Sequence, residues 1–309
     1  MRESPRVSAA SRQIVLESAD ILGYRPNLMA RNLASRRTMT LGVLLNDLHN
    51  QWFAEIADGI HEQADAYGYR IILGNGRRSL QHEDEALESF LSFQVDGIIV
   101  TGCRLPDIRI EQVGSEAPTV SIGRSLQSKV VSTVNSDDNA GAHLAVDHLV
   151  QRGHRDIVHI DGGTGAGAAP RRDGYLAAMH AHGLAQQAKV IAADFTERAG
   201  FTAVDRLLAT DSLPTAFFTA NDLLAVGALN RLEQQGLSVP GDVSIVGYDN
   251  TALAALHHIG LTTVDQPREE MGRMACNELL NKITDPTQTI HHVMSPSLIE
   301  RRTTRTIVA

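Results

Sequence analysis

RVSAASRQIVLESADILGYRPNLMARNLASRRTMTLGVLL, residues 6–45, carries the chain from a basic helical segment, through a short Pro-led helix, into an apolar strand. Everything before Thr38 reads as a small basic N-terminal segment, and everything after Met39 as a long α/β body. Residues 1–40 hold seven Arg against Glu3, Glu17 and Asp20, a net +4; the whole chain carries −8, so the rest carries −12. Such asymmetry is expected when one short segment meets a polyanion and the remainder does not. A solvated helix face would also account for the arginines.

Within this basic segment, Ile14, Leu16, Ala19 and Leu22 recur with helical spacing. Ser8 or Ser11 is placed to cap that helix and Gly23 to end it. Pro26 suits the first turn of a second helix over 27–34, carrying Leu28, Met29 and Leu33, followed by an extended joint at 35–38. Two turns of helix are not stable alone in water, so this second helix is expected to need a partner chain or a bound surface.

The body alternates strand and helix. LGVLL (41–45) is continuously apolar, as a strand buried on both faces should be. Further strands are predicted at 69–74, 96–102, 118–123 and 130–135. A second series follows at 156–161, 189–194, 215–220, 242–249 and 261–267, with SLIERRTT (297–304) closing the chain. Helices are predicted between them, among them 52–67, 86–93, 140–152, 201–209, 223–235 and 271–282. Two such series imply two doubly wound parallel sheets. Ligands bind outside the strand C-termini in this architecture, so two lobes facing each other by those edges make a cleft.

At 309 residues the chain exceeds one ordinary core, with 43% apolar and 21% charged residues. No apolar run approaches the ~20 residues of a membrane span, and no secretory h-region opens the chain, so a cytoplasmic location is expected. Cys103 and Cys276 have no metal or redox spacing. DGGTGAGAAPRRDGY (161–175) departs from both the dinucleotide and the P-loop patterns and reads better as a flexible ligand-contact loop. The thirteen His form no HExxH, and no GxSxG appears. No enzyme activity, cofactor or metal is expected.

Polar and aromatic residues at strand ends remain. Asn50, Trp52 and Phe53 follow the first strand, and flat aromatic faces suit sugar rings or bases. Arg171 offers a planar fork for hydroxyl pairs or a carboxylate. Asn221 and Asp222 follow TAFFTA, and Asp249 follows DVSIVGY. Singly each has a structural alternative: Asp222 could cap its helix and Phe53 could be core. Together they suggest a site for a small polyhydroxylated molecule.

YRPNLMARNLASRRTMTLGVLL resembles the hinge helix and first body strand of the lactose/galactose (LacI/GalR) repressor family. HNQWFAEIADGI (49–60), RRDGYLAAM (171–179), FTANDLLAVGALNRLEQQGLSVPGDVSIVGYDN (218–250), LTTVDQP (261–267) and LIERRTT (298–304) continue the likeness over nearly the whole chain. The resemblance implies a helix-turn-helix headpiece and hinge (1–38) before a periplasmic-binding-protein-like effector domain (39–309). The N-lobe would span about 39–136 and 267–293, and the C-lobe about 137–264 and 294–309. It implies a homodimeric, ligand-responsive transcriptional regulator, a sugar-like effector and operator DNA as partners. Asn50, Trp52, Phe53, Arg171, Asn221 and Asp249 fall on effector-contact positions, with Asp138 and Gln266 in matching segments. Leu33 matches the hinge leucine wedged into the minor groove, flanked by Asn27, Arg31, Ala34 and Arg36 as DNA-binding candidates. Gln51 replaces a usual Pro and Trp52 a usual Phe.

The family's first two helices, one of which reads bases, would precede Val7. With only the third headpiece helix, about 8–22, and the hinge in hand, weak and salt-sensitive DNA binding is the expectation. The alternative is a sugar-binding protein without effective DNA binding.

Overall fold

The apolar run that ends the opening stretch forms β1 (Thr40–Leu45), buried from Leu41 to Leu45. The structure is a computed structural model that describes residues 8–22, 37–210 and 213–307. The chain divides into two units, Met1–Met39 and Thr40–Ala309. In the first, α1 (Ala9–Ile21) begins where Ser8 Oγ accepts a hydrogen bond from the Ser11 N–H at 3.2 Å. A hydroxyl at that position satisfies a first-turn donor the helix cannot. The expected hinge residues Asn27, Arg31, Leu33, Ala34 and Arg36 lie outside the described residues.

In the second unit, β1 is followed by α2 (Gln51–Ala66), β2 (Arg70–Asn75), α3 (Leu80–Ser92), β3 (Gly97–Thr101), α4 (Asp107–Glu116), β4 (Thr119–Ile122) and β5 (Val131–Ser136). The chain then builds α5 (Asp138–Gln151), β6 (Ile157–Ile160), α6 (Ala168–Ala181), β7 (Lys189–Ile191), α7 (Glu197–Leu208), β8 (Ala216–Thr219) and α8 (Asp222–Gln234). It ends with β9 (Ser244–Asp249), α9 (Ala252–Ala255), β10 (Thr262–Asp265), α10 (Arg268–Thr284), β11 (His291–Met294) and β12 (Ser297–Ile299).

Two six-stranded sheets result, ordered β11-β5-β4-β3-β1-β2 and β12-β10-β9-β8-β6-β7. Every described pairing is parallel except β10 with β12, which is antiparallel. The chain therefore passes between the sheets after β5, after β10 and after β11. Both faces of each sheet are covered by helices, so central strands are buried along almost their whole length, even where polar residues stand, as in β5 (VSTVNS) and β10 (TTVD). Phe217 and Phe218, adjacent on β8, enter separate core clusters on opposite faces. In the first lobe α2 and α10 touch backbone to backbone: a Cβ added at Gly272 would stand 2.2 Å from the Ile56 carbonyl oxygen.

Four expectations need correction. α4 is absent from the predicted elements, because only Ile110 and Val113 of its ten residues are buried and no apolar stripe announces it. β11 is absent too; HHVM is an edge strand in which no side chain is fully buried, so no apolar run marks it. The closing strand expected over 297–304 stops at Ile299 and runs against its neighbour. The strand expected over 189–194 ends at Ile191, which releases Asp194 and Phe195 into a loop.

Candidate functional site

The carboxyl ends of both sheets face one another across a cleft with about 580 Å³ of space, its mouth included. Loops after β1, β2, β3 and β4 form one wall, and loops after β6, β7, β8 and β9 form the other. Asn50 caps α2 with its side-chain oxygen, which accepts from the Trp52 N–H at 3.0 Å. That cap starts the helix so that Trp52 and Phe53 fall in its first turn against the cleft. Their rings meet edge to face, 4.9 Å apart at 85°.

Two glycines make room for these rings. A Cβ on Gly123 would lie 2.8 Å from the Trp52 ring, and one on Gly102 would lie 2.8 Å from Phe53. Both also hold positive φ, +76° and +57°, which L side chains rarely adopt. The Trp52 Nε1 atom is buried without a hydrogen-bond partner among the described residues.

On the other wall Asn221 caps α8 by accepting from the Leu224 N–H at 2.9 Å, and its Nδ2 is likewise buried and unpartnered among the described residues. Asp222 does not cap this helix, contrary to the alternative the sequence allows. Its carboxylate accepts from Thr263 Oγ1 at 2.6 Å and from the Thr251 N–H at 2.7 Å, tying α8 to the loop after β9. Burial pushes its pKa up to about 6.

Arg171, only 5% exposed, is the centre of the site's charge. Its Nε donates to Asp138 Oδ1 at 2.9 Å and its Nη1 to the Ala220 carbonyl at 2.6 Å. The guanidinium stands 3.6 Å from Asp249 Oδ1 and 3.9 Å from the Tyr248 ring centroid. The fork is thus held by the protein's own carboxylates, so Arg171 presents a fixed wall more than a free grip. Asp249 also accepts from Gln266 Nε2 at 2.7 Å, and burial, reinforced by the neighbouring Asp222 charge, raises its pKa.

The structure therefore brings Asn50, Trp52, Phe53, Arg171, Asn221 and Asp249 to one cleft. Asp138 lines an adjoining chamber and reaches the cleft through Arg171. Gln266, 2% exposed, sits behind Asp249. The Gly-rich loop is a cover for an aromatic ring: Cβ atoms on Gly162 and Gly165 would lie 2.2 and 2.5 Å from Phe195.

Sequence reasoning missed Phe195, Arg78, Arg104, Asp194 and Asn46, all of which line the cleft. Each lies a few residues past a strand's carboxyl end, so the rule that finds Trp52 reaches them as well. Arg78 pairs with Asp194 across the cleft, and Arg104 Nη2 donates to Thr164 Oγ1 at 2.8 Å, also across it. Beneath them Glu83, fully buried, accepts from Asn46 Nδ2 at 2.9 Å and from the N–H groups of Arg104 and Leu105 at 2.9 and 3.0 Å. Burial raises its pKa, and these donors oppose the rise. Among the described residues, no three His, Cys, Asp or Glu side chains group to hold a metal ion, and no helix is long and apolar enough to cross a membrane.

Residues 146–304 match a family described as a periplasmic binding protein-like domain. Catabolite control protein A of Priestia megaterium is 34% identical over 303 residues, covering 97% of this chain and 91% of that protein. Among solved structures, a LacI family transcriptional regulator from Enterococcus faecium with bound ribose superimposes with a TM-score of 0.79 at 27% identity, covering 87% of this chain and all of the other. The lac repressor dimer bound to operator and an anti-inducer gives a TM-score of 0.87 at 26% identity, covering 98% of this chain and 92% of that one.

Proposed function

The chain belongs to the LacI family of ligand-responsive transcriptional repressors, and we propose that its cleft takes a small neutral sugar or sugar derivative as effector. The observation that carries this reading is the pairing of aromatic faces with unpartnered buried donors in one cleft. Trp52, Phe53 and Phe195 supply flat apolar surface, while Trp52 Nε1 and Asn221 Nδ2 await acceptors that a sugar's oxygens provide. Asn50 places the rings. Arg171, Asp138, Asp249 and Gln266 act as a fixed polar floor, and Arg171 positions carboxylates against hydroxyl groups.

The reading assigns an N-lobe to about 39–136 and 267–293 and a C-lobe to about 137–264 and 294–309. Residues 1–38 meet operator DNA in a homodimer, with Asn27, Arg31, Leu33, Ala34 and Arg36 at the hinge. The second copy docks along the outer edge of the first sheet, where Ile72 and Leu73 of β2 and Leu80 of α3 are exposed. An apolar sheet edge left in water invites such pairing. The protein works in the cytoplasm, binds without catalysis and needs no cofactor. Effector binding shifts the population between two dimer states, by as much as its affinities for them differ.

The test is calorimetric titration of the full chain with a panel of neutral sugars, followed by anisotropy of labelled duplexes selected from a random pool. Saturable binding without product, and a ligand-dependent change in DNA affinity, are expected. Turnover of the sugar, or DNA affinity indifferent to a bound ligand, would refute the proposal.

A further inference from the structure

Three loops of the first lobe converge on one buried carboxylate. Glu83, near the start of α3 and fully buried, touches all three. Its Oε1 accepts from Asn46 Nδ2, in the loop after β1, at 2.9 Å. Its Oε2 accepts from the N–H groups of Arg104 and Leu105, in the loop after β3, at 2.9 and 3.0 Å, and from Cys103 Sγ at 3.2 Å. The loop after β2 closes over its stem, where a Cβ on Gly76 would stand 2.7 Å from Glu83 Cγ. Asn46 joins the set: its Nδ2 also donates to the Gly102 carbonyl at 2.8 Å, and its own carbonyl accepts from the Arg78 N–H at 3.0 Å.

The donors that meet Glu83 are an amide, a thiol and two backbone N–H groups, and the backbone and thiol donors offset its burial more than the nearby Arg104 charge does. An apolar side chain would fill this space without the cost of burying a charge, but it would leave Asn46 and two backbone N–H groups unbonded. One anion met by donors from separate loops fixes those loops relative to each other.

What it fixes faces the cleft. Gly102, at φ +57°, leaves room for the Phe53 ring, which meets Trp52 edge on. Arg104 crosses to Thr164 and Arg78 to Asp194. Arg77 and Arg78 both hold positive φ, 49° and 56°, which non-glycine residues keep only where their surroundings enforce it.

We propose that Glu83 is the positioning residue of this wall: its carboxylate, by gathering Asn46, Arg104 and Leu105, sets the surface behind the Trp52 and Phe53 rings and aims the two arginines at the second lobe. The proposal concerns the wall and not the ligand, so its failure leaves the effector reading standing.

The experiment uses the full chain, with hydrogen exchange followed by mass spectrometry and acrylamide quenching of Trp52. Glu83→Gln keeps the shape and removes the charge; whichever way its amide turns, an NH2 group meets N–H donors. Peptides covering 102–106 are expected to exchange about 10-fold or more faster than in the wild type, beyond any change shared with β6 of the second lobe. Trp52 should become easier to quench. A lowered denaturation midpoint with both local readouts unchanged would make Glu83 a core filler and overturn the proposal. Asn46→Ala keeps the charge and cuts one side of the pin, and exchange over 102–106 should rise about five-fold. If Glu83→Gln does not fold, this variant decides alone, and unchanged exchange there overturns the proposal.

Discussion

His159 offers the most exact test of how the C-lobe is held together. It lies fully buried on β6, between the rings of Tyr175 and Phe218, with centroids 5.2 and 4.7 Å away and planes within 28° and 24°. Nδ1 meets the Phe218 carbonyl at 3.0 Å, while Nε2 makes no hydrogen bond among the described residues and stands 3.9 Å from Asp161 Oδ1. Burial pulls its pKa down to about 4, against the ordinary value of about 6.5 that the unfolded chain keeps. A histidine depressed in this way contributes stability above pH 6.5, which is lost as pH falls toward 4. Between pH 7 and 5 the unfolded chain takes up a proton that the fold refuses, and the loss is about 2 kcal/mol. His159→Phe keeps the stack and removes the titration. Losing the bond to the Phe218 carbonyl costs about 1–3 kcal/mol at every pH and cancels in the comparison. His148, also pulled down to about 4, and His154 titrate alike in both proteins and cancel too. Urea unfolding at pH 7 and pH 5 should therefore show the wild type losing about 2 kcal/mol more than the variant on acidification. Equal losses would mean that the ring reaches water or a partner at Nε2.

Three further outcomes follow from the site. Arg171→Met leaves Asp138 and Asp249 buried without their cation and should destabilise the fold by about 3–5 kcal/mol; a loss under about 1 kcal/mol in urea unfolding would show that other groups neutralise them. Gly123→Ala forces a methyl group against Trp52 at a left-handed position and should cost about 1–3 kcal/mol. Because Trp52 is the chain's only tryptophan, the displaced ring reports directly, and an unchanged fluorescence spectrum would contradict the contact. Arg78→Ala removes a half-exposed bridge to Asp194 worth at most about 1 kcal/mol, so unfolding should barely change while acrylamide quenching of Trp52 rises as the cleft opens. Unaltered quenching would show that Arg78 does not hold the cleft shut.

How far the sequence reveals all this depends on the range of the interaction. β1 is legible because its unbroken apolar run suits a strand covered on both faces, and α2 because Trp52, Phe53, Ile56, Ile60 and Ala64 share one face. Trp52, Asn221 and Asp249 are legible because each follows or closes a strand. Arg78 with Asp194 is not, since the pair joins residues 116 positions apart on different lobes. Glu83 lies in QHEDE, which reads as a solvated helix face; it is buried because the loop after β3 turns its N–H groups onto the carboxylate. Arg171 reads in sequence as a hand for the ligand, because a motif shows the fork but not the carboxylates already holding it.

A carboxylate that holds Arg171 also ties the two lobes to each other. Asp249, at the floor of the cleft, accepts from Gln266 in the crossing segment after β10. Two residues along that segment, Arg268 donates to the Gln266 and Asn250 carbonyls and reaches Glu55 on α2 at 2.7 Å. The helix that bears Glu55 also presents Trp52 to the cleft. A ligand lying between Trp52 and Asp249 therefore touches both ends of one bonded path that crosses from the second lobe to the first. Every member of that path is buried or half-buried, and its charges are paired, so it resists gradual distortion; breaking one bond strands a charge. Bonded groups of this kind favour discrete arrangements over a continuum, which is what a two-state regulator requires. On the proposed reading, the Trp52 and Phe53 rings set how tightly the effector binds, and the Arg268 crossing sets how that binding differs between the two states.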